Sequence, residues 1–429
     1  MMRHFLATAA AACLAATAAP AADLPAPPAA EPMMVDYVRV CDAFGAGYYF
    51  IPGTDTCLSV RGRVRADYVG AIGDTAFGVP AWRDASTTQF NVRGYLYMDS
   101  RTNTEFGLLR AYVETIVGVG DSIYGGGSTT DIELRNAFIQ LGGFTFGRTQ
   151  SFYDFPVYST LGGYLTPLLS DVRTNLAAYT MAFGNGAAAS LSIESPATRD
   201  VGIAEYGTFS AYDAAGGTKY PDIVGSLRLD QGWGAVQVMG ALHDSQIDWY
   251  SASRGYDSVL GWAAGAGALG KMTVGGGQMI SVNLTGTYSQ GAISYAFSDA
   301  TGVASFVGGN AAFGVAPFSS GAVYADAALD PVTGKTEAVT AWSLSGGVGA
   351  EFSRFVDVAL QGGYADVSYG LTGGVGDFSM WSGQGYVGFS PAGPEGMDLG
   401  VAAEYRYVEP DAASDYDGLA VYFRAQRTF

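Results

Sequence analysis

Phe90-Asn91-Val92-Arg93-Gly94-Tyr95-Leu96-Tyr97-Met98-Asp99-Ser100-Arg101 alternates with a period of two. Asn91, Arg93, Tyr95, Tyr97, Asp99 and Arg101 share one face, and Phe90, Val92, Leu96 and Met98 take the other. The neighbouring segments repeat the pattern. In 60–68, Arg61, Arg63, Arg65 and Asp67 oppose Val60, Gly62, Val64 and Ala66; in 108–117, Arg110, Tyr112 and Glu114 oppose Leu109, Ala111, Val113 and Val117. Alternation at this period makes each segment a strand with two chemically different faces. A soluble sandwich alternates too, but its polar face looks outward. Rows of mid-strand arginines in segments of about ten residues are instead the signature of a transmembrane barrel, whose interior is wet.

The rest of the chain follows suit. Leu176–Phe183 and Ala187–Ile193 flank Gly184-Asn185-Gly186, a turn that needs positive φ, and further hairpins turn at Asp230-Gln231-Gly232 and Ser353-Arg354-Phe355. Longer stretches (195–221, 243–257, 300–336) lie between them. Short turns alternating with long loops give such a barrel its two sides, and the segments number about sixteen. Composition agrees. Hydrophobic residues make up 48% of the 429 residues and charged ones only 14%, against about 25% charged in a soluble domain. No apolar run of about 20 residues recurs, as membrane helices would require. The final strand alternates to its end, with Leu419, Val421, Phe423, Ala425, Arg427 and the terminal Phe429 on one largely apolar face.

Residues 1–21 read as a signal peptide, with Arg3 and His4, an apolar Ala-rich core and a small-x-small site at Ala19-Pro20-Ala21. Residues 22–34 form a Pro-rich N-terminal spacer, and 35–429 are the expected barrel domain. The formal charge of −18 falls to −19 once Arg3 is removed, which argues against a nucleic-acid partner. Cys41 and Cys57 then remain as an even pair in an exported chain and read as a disulfide, contributing roughly 3 kcal/mol in the chain-entropy model.

Val38-Arg39-Val40-Cys41-Asp42-Ala43-Phe44-Gly45-Ala46-Gly47, continuing to Ile51-Pro52-Gly53-Thr54-Asp55-Thr56-Cys57-Leu58, resembles the N-terminal signature of alphaproteobacterial (Rhizobiales-type) porins. Arg424-Ala425-Gln426-Arg427-Thr428-Phe429 is similar to that family's C-terminus, and Asn136 to Thr149 resembles its strand pair before the constriction loop. The resemblance implies a 16-stranded, trimeric outer-membrane barrel that passes small hydrophilic solutes by diffusion. It also implies a long loop folded into the lumen, here Gln150 to Ala177, which carries Asp154 and Asp171. The expected surroundings are outer-membrane lipid and lipopolysaccharide, with Phe429 presented to the barrel-assembly machinery.

On this reading Arg61, Arg63, Arg65, Arg93 and Arg110 form a basic wall facing Asp154 and Asp171 across a constriction, with a transverse field between them. The alternative is that the arginines merely pair with Asp67, Asp99 and Glu114 on adjacent strands; both stand open for each arginine. Loop acids either hold divalent cations at the membrane surface or are simply solvated. Catalytic chemistry is poorly served. His243 is the sole histidine beyond the signal, expected to be a solvated loop residue, and no metal or other cofactor site assembles around it. Gly265-Ala266-Gly267-Ala268-Leu269-Gly270 matches a dinucleotide fingerprint by letter but lacks the helix that would follow it. The competing classes are a structural or adhesive barrel with a closed lumen, an outer-membrane enzyme and a secreted β-solenoid.

Overall fold

The computed structural model describes residues 39–73, 75–76, 79–80, 88–121, 128–155, 168–205, 215–275, 277–297, 325–330, 332–371, 376–391, 396–411 and 415–429. The expected signal peptide and spacer lie outside the described residues. Sixteen long strands form the barrel: β1 Cys57–Gly73, β2 Thr88–Thr104, β3 Gly107–Asp121, β4 Ser128–Leu141, β5 Phe144–Gln150, β6 Arg173–Gly184, β7 Ala187–Glu194 and β8 Asp222–Gln231. The second half comprises β9 Gly234–Ser245, β10 Val259–Val274, β11 Gln278–Gln290, β12 Thr340–Ser353, β13 Val356–Ser368, β14 Phe378–Phe389, β15 Met397–Pro410 and β16 Tyr416–Thr428. Each pairs antiparallel with the next. The ring closes where β16 returns to β1, from Arg63 opposite Thr428 to Gly73 opposite Gly418. Closure leaves no open edge, as a sheet in hydrocarbon requires.

The burial pattern is inverted relative to a soluble protein. On β1 and β2 Arg65, Asp67, Asn91 and Asp99 are buried, whereas Val64, Phe90, Val92 and Leu96 are exposed on the outside. The exposed apolar band is flanked by aromatics at both levels. Trp262, Tyr288, Trp342 and Trp381 sit near the long-loop ends of their strands, and Phe144, Phe146, Phe352 and Phe389 near the short-turn ends. These are the two girdles of a barrel standing in a bilayer. Gly265 to Gly270 lies within β10, so the fingerprint belongs to a strand.

Two close approaches show glycine placed for space. At the seam Gly62 and Phe429 exchange backbone hydrogen bonds of 2.7 and 2.8 Å, and a Cβ on Gly62 would stand 2.5 Å from the Phe429 ring. At the turn after β6 Asn185 has φ 50°, and a Cβ on Gly186 would collide with the Asp230 carbonyl.

At the short-turn end the chain before β1 folds back on the lumen face. Tyr49 and Phe50 pair with Leu58 and Cys57, the Cys41–Cys57 disulfide closes with Cα atoms 6.0 Å apart, and Tyr48 donates to Asp99 at 2.8 Å. Burial, together with that carboxylate, pushes the Tyr48 phenol up. At the opposite end the loops after β7 and β11 meet: Ile203–Glu205 runs parallel to Ala327–Asp330, which pairs antiparallel with Lys335–Ala338.

His243 corrects a sequence expectation. Strand β9 continues to Ser245, so the histidine is a lumen-facing strand residue, 1% exposed, and not a solvated loop residue. Its Nδ1 lies 2.8 Å from Asp222 and its Nε2 3.4 Å from Asp326. Two acids separated from it in sequence supply the polarity that a turn was expected to supply.

Candidate functional site: the lumen wall and the inserted loop

Between β5 and β6 the described residues 151–155 and 168–172 fold inward and lie on the far wall; 156–167 are outside the described residues. Gln237 of β9 donates to the Tyr153 carbonyl at 3.2 Å, and the Tyr153 hydroxyl meets Thr287 of β11 at 3.5 Å. Phe155 packs over Gly267 of β10, where a Cβ would stand 2.4 Å from its ring, and Leu168 reaches Gly363 of β13. In a ring of sixteen strands, β9 stands across from β1. The loop therefore rests on the wall opposite the arginine rows, and small residues at Gly267 and Gly363 let it lie close. Replacing Gly267 by Leu is expected to push Phe155 off the wall and lower single-channel conductance, measured in planar bilayers.

The two loop acids have different fates. Asp154 does not present a charge to the lumen, contrary to the sequence expectation for it. Its side chain is 2% exposed, it ion-pairs with Arg199 at 3.0 Å, and it accepts from Ser170 and from the Val172 amide at 2.5 and 2.6 Å. It holds the root of the loop. Asp171 is exposed at that root, accepting from Gln150 at 2.8 Å with Arg173 3.9 Å away. Arg199 extends the network: it donates to the Ser294 carbonyl at 3.0 Å and stacks 3.9 Å over Tyr295, whose hydroxyl donates to Asp222 at 2.7 Å. A chain of buried polar contacts thus runs from the inserted loop through the loops after β7 and β11 to His243. Buried groups of this kind cost stability unless every partner is present.

The facing wall is built by β16, β1, β2 and β3. Register sets the side chains in rows: Arg61 opposite Tyr97, Arg63 opposite Tyr95, Arg65 opposite Arg93. The structure divides the arginines that the sequence left undivided. Arg65 donates to Asp67 at 2.7 Å, and Arg110 reaches Asp99 through two bonds of 2.9 Å. For these two the pairing alternative holds. Arg61, Arg63 and Arg93 have no carboxylate within 4 Å among the described residues. Arg63 instead lies 3.9 Å over the Tyr95 ring. The Nε atoms of Arg63 and Arg93 are buried without a hydrogen-bond partner.

Sequence reasoning placed Arg101 on the polar face but left it out of the basic wall, and it missed Arg424. Arg101 shares Asp99 with Arg110 at 2.8 Å, and Arg424 shares Asp67 with Arg65 at 2.6 Å. The signal for Arg424 was present: with Phe423 and Ala425 facing out, alternation turns Arg424 inward. Its partner, 357 positions away, was not visible. Cys41 and Cys57 stand together at the short-turn mouth, near Asp99 and Arg101 but apart from the inserted loop.

Residues 25–412 match the family model described as Porin subfamily. The chain is 34% identical over 283 residues to the porin Omp2b of Brucella abortus, covering 62% of this chain and 73% of that protein, and matches Omp2b of Brucella suis biovar 1 to the same extent. Among solved structures, the outer membrane channel DcaP of Acinetobacter baumannii superposes with a TM-score of 0.65 at 15% identity, covering 89% of this chain and 99% of that one. That likeness concerns the fold.

Proposed function

Since this chain belongs to the porin subfamily, we propose that its narrow passage lies between the β1–β3 wall and the loop 151–172. The protein is an outer-membrane β-barrel porin, a water-filled channel for passive diffusion of small hydrophilic solutes and ions. A barrel of about sixteen strands leaves an aqueous lumen, which inward charges can line. Arg61, Arg63, Arg65, Arg93 and Arg110 line the passage on one side, and Asp171 stands at the root of the loop on the other. The observation that supports this is the seat of the loop on β9–β13, across the ring from the arginine rows.

Accessibility tests it. In a background without the native disulfide, Arg61→Cys and Arg93→Cys are expected to react with a charged methanethiosulfonate added to the bath and to reduce the current. Asp154→Cys, at a buried position, is expected to stay unreactive. Asp171→Asn should shift the reversal potential in a salt gradient. Unreactive thiols at both arginine positions would move the passage elsewhere.

The remaining assignments belong to the same proposal. Residues 1–21 are removed on export, 22–34 form a spacer and 35–429 the barrel; the protein assembles as a homotrimer among outer-membrane lipid and lipopolysaccharide, and Phe429 is read by the assembly machinery. Intact mass of the purified protein tests the cleavage. Cross-linking in membranes tests the trimer.

A further inference from the structure

The net charge of the chain, −18, suggests a channel that favours cations. The lumen wall points the other way. On β16, β1, β2 and β3 two carboxylates, Asp67 and Asp99, each answer two guanidiniums: Asp67 takes Arg65 and Arg424, and Asp99 takes Arg101 and Arg110. Each such trio is left with one excess positive charge. Arg61, Arg63 and Arg93 then add charges with no carboxylate in reach among the described residues. Glu114, the next acid along the wall, is engaged by Asn136 and faces Arg135 at 3.6 Å.

Nor does the opposite side restore the balance. The loop 151–172 carries two acids: Asp154 is neutralised by Arg199, and Asp171 stands beside Arg173. The passage is thus bounded by a positive wall, and the one exposed acid of the loop, Asp171, stands at its root beside Arg173.

Two details suggest a binding site beyond a general field. Arg65 and Arg93 are directly opposed across β1 and β2, a like-charge juxtaposition that destabilises a strand pair. Asp67 relieves Arg65 but leaves Arg93. Meanwhile the Nε atoms of Arg63 and Arg93 are buried and unsatisfied. A guanidinium fork receives a planar or tetrahedral oxyanion through paired charge-assisted hydrogen bonds, here from the terminal nitrogens, since the Nε atoms are covered. The Tyr95 ring lies 3.9 Å from the Arg63 guanidinium carbon and holds it by a cation–π contact.

We propose that Arg61, Arg63 and Arg93 form an oxyanion site on the lumen wall, which makes the channel prefer small anions, carboxylates and phosphates among them, despite the acidic chain. Acids on external loops lie outside the passage, and at 0.1 M salt their field decays over about 10 Å. The inference rests on the porin reading and specifies its solute class.

The test uses the full-length mature protein in planar bilayers. In a KCl gradient the wild type should show a reversal potential on the chloride side of zero. The triple variant Arg61→Gln, Arg63→Gln, Arg93→Gln should lose that preference. Inorganic phosphate added to chloride should reduce the current in a saturable manner, with the half-blocking concentration rising about tenfold in the triple variant. Acetate in place of phosphate separates a site that takes any oxyanion from one that needs a phosphate. The triple Lys variant keeps the charge without the fork: it should stay anion-preferring and lose most of the phosphate block, which also controls for misfolding. Conductance with cation preference in the wild type, or an unchanged permeability ratio in the Gln variant, would overturn the site alone. A protein that seals the bilayer would overturn the channel reading, and this inference with it.

Discussion

Replacing Arg199 by Met is expected to destabilise the folded barrel by about 3–5 kcal/mol, the cost of leaving a buried charge without its partner. Arg199 is fully buried, and its guanidinium is divided among Asp154, Ser170 and the Ser294 carbonyl, with Tyr295 beneath it. The substitution strands the Asp154 carboxylate beside the Val172 amide, where water cannot replace the lost cation. It also cuts the link between the inserted loop and the loops after β7 and β11. The measurement is the urea midpoint in detergent micelles, with single-channel recordings to detect a loosened loop. The double variant Arg199→Met, Asp154→Leu should recover part of the loss, because it removes the stranded charge; a double-mutant cycle then isolates the pair. A single-variant loss below about 1 kcal/mol would mean that water reaches the pair and that the loop is held by other contacts.

Leu284→Arg is expected to cost about 2–4 kcal/mol, and Asn283→Arg, one residue away, far less. Leu284 lies at the middle of β11 and is 53% exposed, on the outer face. Asn283 faces the lumen, in a polar row with Ser281 and Thr285. Along a strand the side-chain period is two, so a single step exchanges the hydrocarbon face for the polar lumen face. Folding titrations into phosphocholine vesicles give both values on one scale. Equal costs for the two substitutions would reverse the inside-out assignment on which the barrel reading stands.

Much of the fold was legible because its signals are local. Phe90 to Arg101 shows its two faces without reference to any other strand, and Gly184-Asn185-Gly186 declares a tight turn by its own φ requirements. The site was legible only in part. The inward direction of Arg61, Arg63, Arg65, Arg93 and Arg110 followed from alternation, as that of Arg424 could have. Asp154 was misjudged because a loop acid in sequence gives no hint that Arg199 will meet it, and His243 because strand β9 runs three residues beyond its apparent end.

By itself, then, the sequence determined an all-β transmembrane barrel with a charged interior, since period-two alternation and turn chemistry act over a few residues. Only the tertiary structure decided which of those charges remain open. Pairing depends on register and on ring closure, which set Arg424 beside Asp67 from the other end of the chain and left Arg61, Arg63 and Arg93 without acids within 4 Å among the described residues. Coulomb interaction depends on distance in space, and separation along the chain carries no information about that distance once sixteen strands have closed.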